Sequence, residues 1–335
     1  MNSCFRNMLA LSTLVAGLCI VSSSSAQNIP LALFDAPNAT PDSFTSASGV
    51  NDAGVIVGSE DSTGSPLGFI RAGNGTFTSF AVPGAGFTVL GDINNGGQMT
   101  GQFGPADFSV RHGFFTTGAV VTAFDVPGAS KTLSFGINDN GLIVGNYFDA
   151  GNVRHGFLRN TGGLFTSIDI PGAAAVFAYG INNGGQIVGA YQTADLTYHG
   201  YLRAPAGGFT FFDAPGASFT SAHGINDLGE ITGGTDGAGF VREANGTYRF
   251  LDTPAGFNQP TGNGINNRGV IVGDINDDFT THAFYTAAVP EPGTLALLVG
   301  LGGAGGGLFL RRRRKEYYRR ERALNDCCAV GAVRG

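Results

Sequence analysis

GINDNGLIVG, Gly136 to Gly145, is one of six near-copies of a ten-residue segment in this 335-residue chain. The others are GVNDAGVIVG (49–58), DINNGGQMTG (92–101), GINNGGQIVG (180–189), GINDLGEITG (224–233) and GINNRGVIVG (264–273). A short polar side chain followed three residues later by Gly reads as a hairpin loop: the Asn bonds back to the backbone, and the Gly takes the positive-φ place of a bulged turn. The apolar residues on either side, Ile137 and Ile143 in this copy, then belong to two paired strands. The shared Asn recurs at Asn51, Asn94, Asn138, Asn182, Asn226 and Asn266, a step of 44 residues within one until a final step of 40. These six asparagines are expected to be structural, one per loop.

Other landmarks keep the same period. A Pro closes an aromatic or apolar strand at Pro37, Pro83, Pro127, Pro171, Pro215 and Pro254, and an aromatic after Gly or Ala stands at Phe69, Phe114, Phe157, Tyr201, Phe240 and Phe284. Each unit therefore holds about four short strands, as in FTSIDIP, FAYGIN, GQIVGAY and HGYLR. Four strands in about 44 residues is the size of a propeller blade, and one such sheet cannot bury both faces alone. The expectation is an all-β chain folded as a six-bladed β-propeller. The chain opens with an unmatched PLALFDAP strand and its last unit stops at HAFYTA, so the N-terminal strand is expected to complete the last blade. An open β-solenoid is the alternative, disfavoured because its coils are usually shorter and its ends need caps.

Composition agrees with an all-β reading: 55 Gly, 27 Phe, no Trp and 13% charged residues suit dense turns and buried rings rather than long amphipathic helices. The four cysteines lie only near the ends, at Cys4, Cys19, Cys327 and Cys328, so the body is expected to hold without disulfides or thiolate-bound metal. Residues 27–310 carry 22 Asp plus Glu against 9 Lys plus Arg, an acidic balance that argues against nucleic acid as a partner.

The ends read as processing segments. Residues 1–26 have one Arg, an apolar run and small residues up to Ala26, the pattern of a secretory signal peptide. The repeat body is taken as 27–288. Beyond it, 294–310 is 17 residues without a charge, the short limit for a membrane-spanning helix, and Arg311, Arg312, Arg313 and Arg314 follow as a cytoplasmic stop. Val289-Pro290-Glu291-Pro292, the hydrophobic run and the Arg cluster resemble, in that order, the PEP-CTERM sorting signal of Gram-negative bacteria over 289–314. That resemblance implies an exosortase as partner, a membrane-anchored precursor, and delivery to the cell surface or extracellular matrix, including that of a biofilm. Residues 315–335 form a basic tail beyond the usual end of such signals.

The repeats also resemble the HAF family of extracellular repeats over 30–286, in which the Asn-Asp segment precedes a His-Ala/Gly-Phe triplet. Here the triplets are His112-Gly113-Phe114, His155-Gly156-Phe157, His199-Gly200-Tyr201 and His282-Ala283-Phe284, with Leu67-Gly68-Phe69 and Ala238-Gly239-Phe240 departing. The resemblance implies an extracellular address and no activity.

No catalytic residue stands out. The in-register histidines sit too far apart around a ring to share one zinc, so a strand-end contact with the Asp of Phe-Asp-x-Pro is the expected role. Asp35, Asp125, Asp169, Asp213 and Asp252 repeat in register and lack the asymmetry of an acid–base pair. No cofactor is expected; the best cation candidate is calcium in DINDDF, with oxygens from Asp274, Asn276, Asp277 and Asp278, although the EF-hand Gly and distal Glu are missing. The expected function is a non-catalytic surface or matrix module that binds exopolysaccharide or envelope proteins. A propeller hydrolase or lyase acting on polysaccharide is the alternative.

Overall fold

The computed structural model describes residues 28–37, 39, 43–61 and 64–287. Every regular element among them is a β-strand, and none is a helix able to cross a membrane. The expected signal peptide, the membrane-spanning helix at 294–310 and all four cysteines lie outside the described residues.

The first strand, β1 (Leu31–Phe34), precedes the repeats. The units are then β2 (Phe44–Val50), β3 (Ile56–Asp61), β4 (Leu67–Arg71) and β5 (Phe77–Phe80); β6 (Phe87–Ile93), β7 (Met99–Gly104), β8 (His112–Thr117) and β9 (Val120–Phe124); β10 (Lys131–Ile137), β11 (Ile143–Phe148), β12 (Arg154–Arg159) and β13 (Phe165–Ile168). They continue with β14 (Ala175–Ile181), β15 (Ile187–Gln192), β16 (Tyr198–Arg203) and β17 (Phe209–Phe212); β18 (Thr220–Ile225), β19 (Ile231–Thr235), β20 (Gly239–Arg242) and β21 (Tyr248–Phe250); and β22 (Asn258–Ile265), β23 (Ile271–Asn276) and β24 (Thr281–Thr286). Within each unit the strands pair antiparallel in chain order.

The expected six-bladed architecture is corrected. The structure indicates a propeller with four separate four-stranded blades, β6–β9, β10–β13, β14–β17 and β18–β21. The strands expected to form two more blades are instead one continuous eight-stranded sheet, in the order β22-β23-β24-β2-β3-β4-β5 with β1 also on β24. β1 pairs with β24 from Ala283 to Thr286, covering four residues of its partner as β13 and β17 do in the separate blades. The start of that edge is left open, and Phe44 at the head of β2 pairs with Thr281 in parallel. The N-terminal segment is also stitched to the preceding sheet, where Ile29 donates to the Phe250 carbonyl at 3.0 Å and Asp252 donates to the Ile29 carbonyl at 2.8 Å.

Each loop of the opening motif is built as its residues dictate. Gly141 holds φ at +73°, a conformation a side chain disfavours, and donates to the Asn138 carbonyl at 3.0 Å to close the turn. The Asn138 Oδ1 accepts from the backbone of Asn140 and Leu142, pinning both ends of the loop. Between neighbouring sheets lie compact apolar layers, each centred on an aromatic from the triplet position; Phe114, Phe157, Tyr201, Phe240 and Phe284 are fully buried. Burying one such ring contributes roughly 1.5–3 kcal/mol. One layer unites Ala47, Val50, Ile56 and Phe69 with Val272 and Ala283, so the first and last units share a core as well as a sheet.

Candidate functional site

The first strand of every unit carries a β-bulge at one place. Its register skips between Ala47 and Gly49, Leu90 and Asp92, Ser134 and Gly136, Ala178 and Gly180, Ala222 and Gly224, and Gly262 and Gly264. A bulge leaves one residue unpaired and re-aims its side chain. The unpaired residues, three before the motif Asn, are Ser48, Gly91, Phe135, Tyr179, His223 and Asn263, and all of them line one axial cavity of about 330 Å³. The loops repeat, but this position carries a different residue in every unit.

The second unit adds a further departure. Where the other copies have Gly two residues before the motif Asn, it has Asp92. The side chain fits because its neighbour in the first unit is Gly49, on which a Cβ would stand 2.7 Å from the Asp92 Cα. Asp92 accepts from the backbone N–H groups of Ile93 at 2.8 Å and Ile137 at 3.1 Å. Burial nevertheless pushes its carboxyl up to about 7, against the pull of those two donors and with a smaller push from the charge of Asp139.

A second carboxylate comes from β23. Asp274 Oδ1 accepts from Asn263 Nδ2 at 2.5 Å and from Ser46 Oγ at 2.9 Å, and burial raises its pKa against those hydrogen bonds. Asn263 also donates to the Ala47 carbonyl at 3.1 Å, so its amide nitrogen is fully used and its Oδ1 faces His223 Nδ1 at 3.2 Å. That arrangement makes Nδ1 the protonated nitrogen of His223 and leaves Nε2 to accept from Ser221 Oγ at 2.9 Å. Burial pushes His223 down to about 4 despite the Asn263 bond, so it is a neutral imidazole at physiological pH. Opposite the carboxylates, Phe135 and Tyr179 meet edge to face at 5.2 Å, and Tyr179 meets the His223 ring at 4.9 Å.

A second, smaller cavity shares Asp92, Ile181, Ile225 and Ile265 with the first and reaches the motif loops, so the two lie end to end. Here the six motif asparagines form a closed circle. Nδ2 of Asn51, Asn94, Asn138, Asn182, Asn226 and Asn266 donates in turn to the carbonyl of the next, the last returning to Asn51, at 2.9–3.3 Å. The following residues, Asp52, Asn95, Asp139, Asn183, Asp227 and Asn267, make a second circle in which each backbone N–H donates to the next side-chain Oδ1 at 2.8 Å. In this circle carboxylate and amide alternate, and each amide nitrogen donates to both flanking carboxylates.

The four residues considered for calcium do not converge. Asp274 turns to the axial cavity, and Asn276 accepts from Thr281 Oγ1 at 2.7 Å. Asp277 caps its own turn, accepting from Phe279 and Thr280, and also contacts His282 Nε2 at 3.3 Å; Asp278 is exposed. No group of three His, Cys, Asp or Glu suited to a metal occurs among the described residues. The repeated histidines meet the aspartates of the Phe-Asp-x-Pro strands instead: His112 with Asp125 at 2.8 Å, His155 with Asp169 at 2.6 Å, and His199 with Asp213 and His282 with Asp35 within 3.0 Å. The sorting-motif residues Val289, Pro290, Glu291 and Pro292 and the stop Arg311 to Arg314 lie outside the described residues.

Sequence reading missed the axial group. Its signal was present in GDINN, the one copy with Asp where SGVND, FGIND, YGINN, HGIND and NGINN have Gly, and in the free variation of the preceding residue.

The fold and the axial cavity define a β-propeller with a central site, and comparison with solved structures agrees on the fold. A mutant of the Aleuria aurantia lectin, solved with Fucα1-6GlcNAc, matches with a TM-score of 0.50 at 14% identity, over 76% of this chain and 98% of that one. A gluconolactonase from Xanthomonas campestris matches at 0.47 and 9% identity, over 73% and 87%. TolB from Acinetobacter baumannii matches at 0.48 and 14%, over 64% of this chain and about half, 53%, of its own. No curated protein matches the chain. Residues 288–314 match the PEP-CTERM protein-sorting motif. The chain thus carries a sorting signal of exported Gram-negative proteins that are anchored in the membrane and then cleaved by exosortase. The HAF-type resemblance of the repeats is not reproduced by these comparisons.

Proposed function

We propose that this is a cell-surface or extracellular-matrix protein whose propeller is a non-catalytic binding module for glycan or protein. The observation that carries the reading is the axial cavity. It joins an aromatic wall, Phe135 and Tyr179, to hydrogen-bonding groups on Ser46, Ser48, Asp92 and Asp274, the mixture that small-molecule sites use for affinity and orientation. A binding rather than catalytic role is supported by the way His223 is tied between Ser221 and Asn263, with neither ring nitrogen free for proton transfer. The sorting motif supports a surface or matrix address.

The second reading is a propeller enzyme acting on polysaccharide, favoured by one observation: two carboxylates of raised proton affinity border the same cavity. Glycan-array retention without released sugar is the expected result for the module. Sugar release that is lost in Asp92→Asn would transfer the assignment to the enzyme. For the address, mass spectrometry of the mature C-terminus should find an end near Val289 to Gly293; intact peptides reaching Arg334 in envelope protein would overturn it.

A further inference from the structure

The axial cavity is divided by chemistry. On one side stand the rings of Phe135, Tyr179 and the neutral His223; on the other stand Asp92 and Asp274 with Ser46 and Ser48. No Lys or Arg lines it, so two enclosed carboxylates have no cationic partner there. Their own hydrogen bonds do not exhaust them. A carboxylate offers about four acceptor sites, whereas Asp92 receives two backbone donors, and Asp274 receives both of its donors on Oδ1.

Enclosed anions without a counter-charge are costly, and a ligand that supplies the charge recovers that cost. A metal ion fits poorly, because calcium takes six to eight oxygens and the facing wall is aromatic. A neutral sugar would use the lone pairs and leave the charge. An alkylammonium uses both halves: its N–H or N–CH₃ groups face the carboxylates, while the rings attract it through their negative faces. A cavity of about 330 Å³ admits a body the size of one hexose or of choline.

We infer that the axial cavity binds a small organic ammonium ion, held between Asp92 and Asp274 and the aromatic wall of Phe135 and Tyr179. This rests on the reading of the propeller as a binding module and names the ligand class of its central site. The ammonium group is supplied either by a free amine or by an amino sugar, and the probes separate them.

Isothermal titration of the purified exported protein at pH 7, where glucosamine is largely an ammonium ion, with glucosamine, choline and glucose is the test. Glucosamine or choline should bind, with glucose at least tenfold weaker; choline alone points to free amines, and a preference for glucosamine points to amino sugars. Asp92→Asn and Asp274→Asn should each weaken ammonium binding by about tenfold or more while circular dichroism shows a folded sheet protein. Phe135→Leu keeps both carboxylates and should weaken it by about fivefold. Glucose binding as tightly as glucosamine in the wild type, with both Asp variants unaffected, would overturn the ammonium assignment and leave a neutral-glycan module standing. Absence of binding by all three probes would also overturn it, and only if glycan-array retention is absent too does the binding module fail with it.

Discussion

Asn266 donates its side-chain amide to the Asn51 carbonyl at 2.9 Å, joining residues 215 apart. The bond completes a circle that the other motif asparagines build between consecutive units, and Asn266 Oδ1 simultaneously accepts from Arg268 and Val270 within its own loop. Asn266→Ala therefore removes one closing bond and two loop bonds at a buried site. A loss of about 3 kcal/mol is expected in urea unfolding. Asn245→Ala, which removes only an exposed turn bond to Thr247, should cost under about 1 kcal/mol. Equal costs at the two positions would mean that closure adds nothing.

Tyr201 stands where the other units have Phe, fully buried, and its hydroxyl has no hydrogen-bond partner among the described residues. Burial drives its pKa upward, which reflects the same lack of solvation. Tyr201→Phe removes a stranded polar group without changing the ring, and a gain of about 1 kcal/mol is expected. Thermal unfolding that falls in this variant would reveal an unseen partner.

His282 lies between Asp35 of the N-terminal segment and Asp277 of its own turn. Burial lowers its pKa, but hydrogen bonds and charge from the two aspartates outweigh this and leave it above 6.5. Its contribution is thus complete below pH 6.5 and fades as pH rises through the folded value. Asp277 is shifted the other way, first by the Phe279 and Thr280 donors and then by His282, so its contribution is present above 3.8 and fades as pH falls through its lower folded value. Stability from this clasp should be greatest between about pH 4 and 6.5. His282→Gln should flatten the decline on the alkaline side, read by urea midpoints at pH 5.5 and 8.

Asp92 makes a separate demand. Its folded pKa, about 7, lies above the ordinary 3.8, so the folded protein holds a proton that the unfolded chain releases. The contribution of Asp92 to stability should therefore fall as pH rises from about 4 to about 7. The other titratable groups bordering the same cavities are Asp52, Asp139, Asp227, Asp274, His223 and Tyr179; His223, neutral when folded but protonated in the unfolded chain, opposes this slope by adding stability as pH rises from about 4 to 6.5. Asp92→Asn should reduce this part of the slope, and an unchanged slope would show that Asp92 is not the group responsible.

Much of this architecture was legible because repetition is a one-dimensional signal. Asn138 and Gly141 specify their loop through contacts within five residues, which a single copy displays. The same Asn138 also bonds Asn182 of the next unit, and nothing in either loop announces that reach. The joined sheet escaped for a related reason: it rests on one parallel bridge, Phe44 with Thr281, between residues 237 apart that belong to no repeated motif. The axial site escaped because bulged residues carry no common identity. Ser48, Gly91, Phe135 and Asn263 share a position and no chemistry, so a search for what repeats passes over them.

The alternation of Asp52, Asn95, Asp139, Asn183, Asp227 and Asn267 has a consequence for inheritance. A circle of alternating donors and acceptors closes without fault only when its membership is even. Losing or gaining one unit would set two carboxylates, or two amides, side by side. A change in unit number that leaves the alternation unbroken therefore comes as a pair of loops, twice the 44-residue spacing.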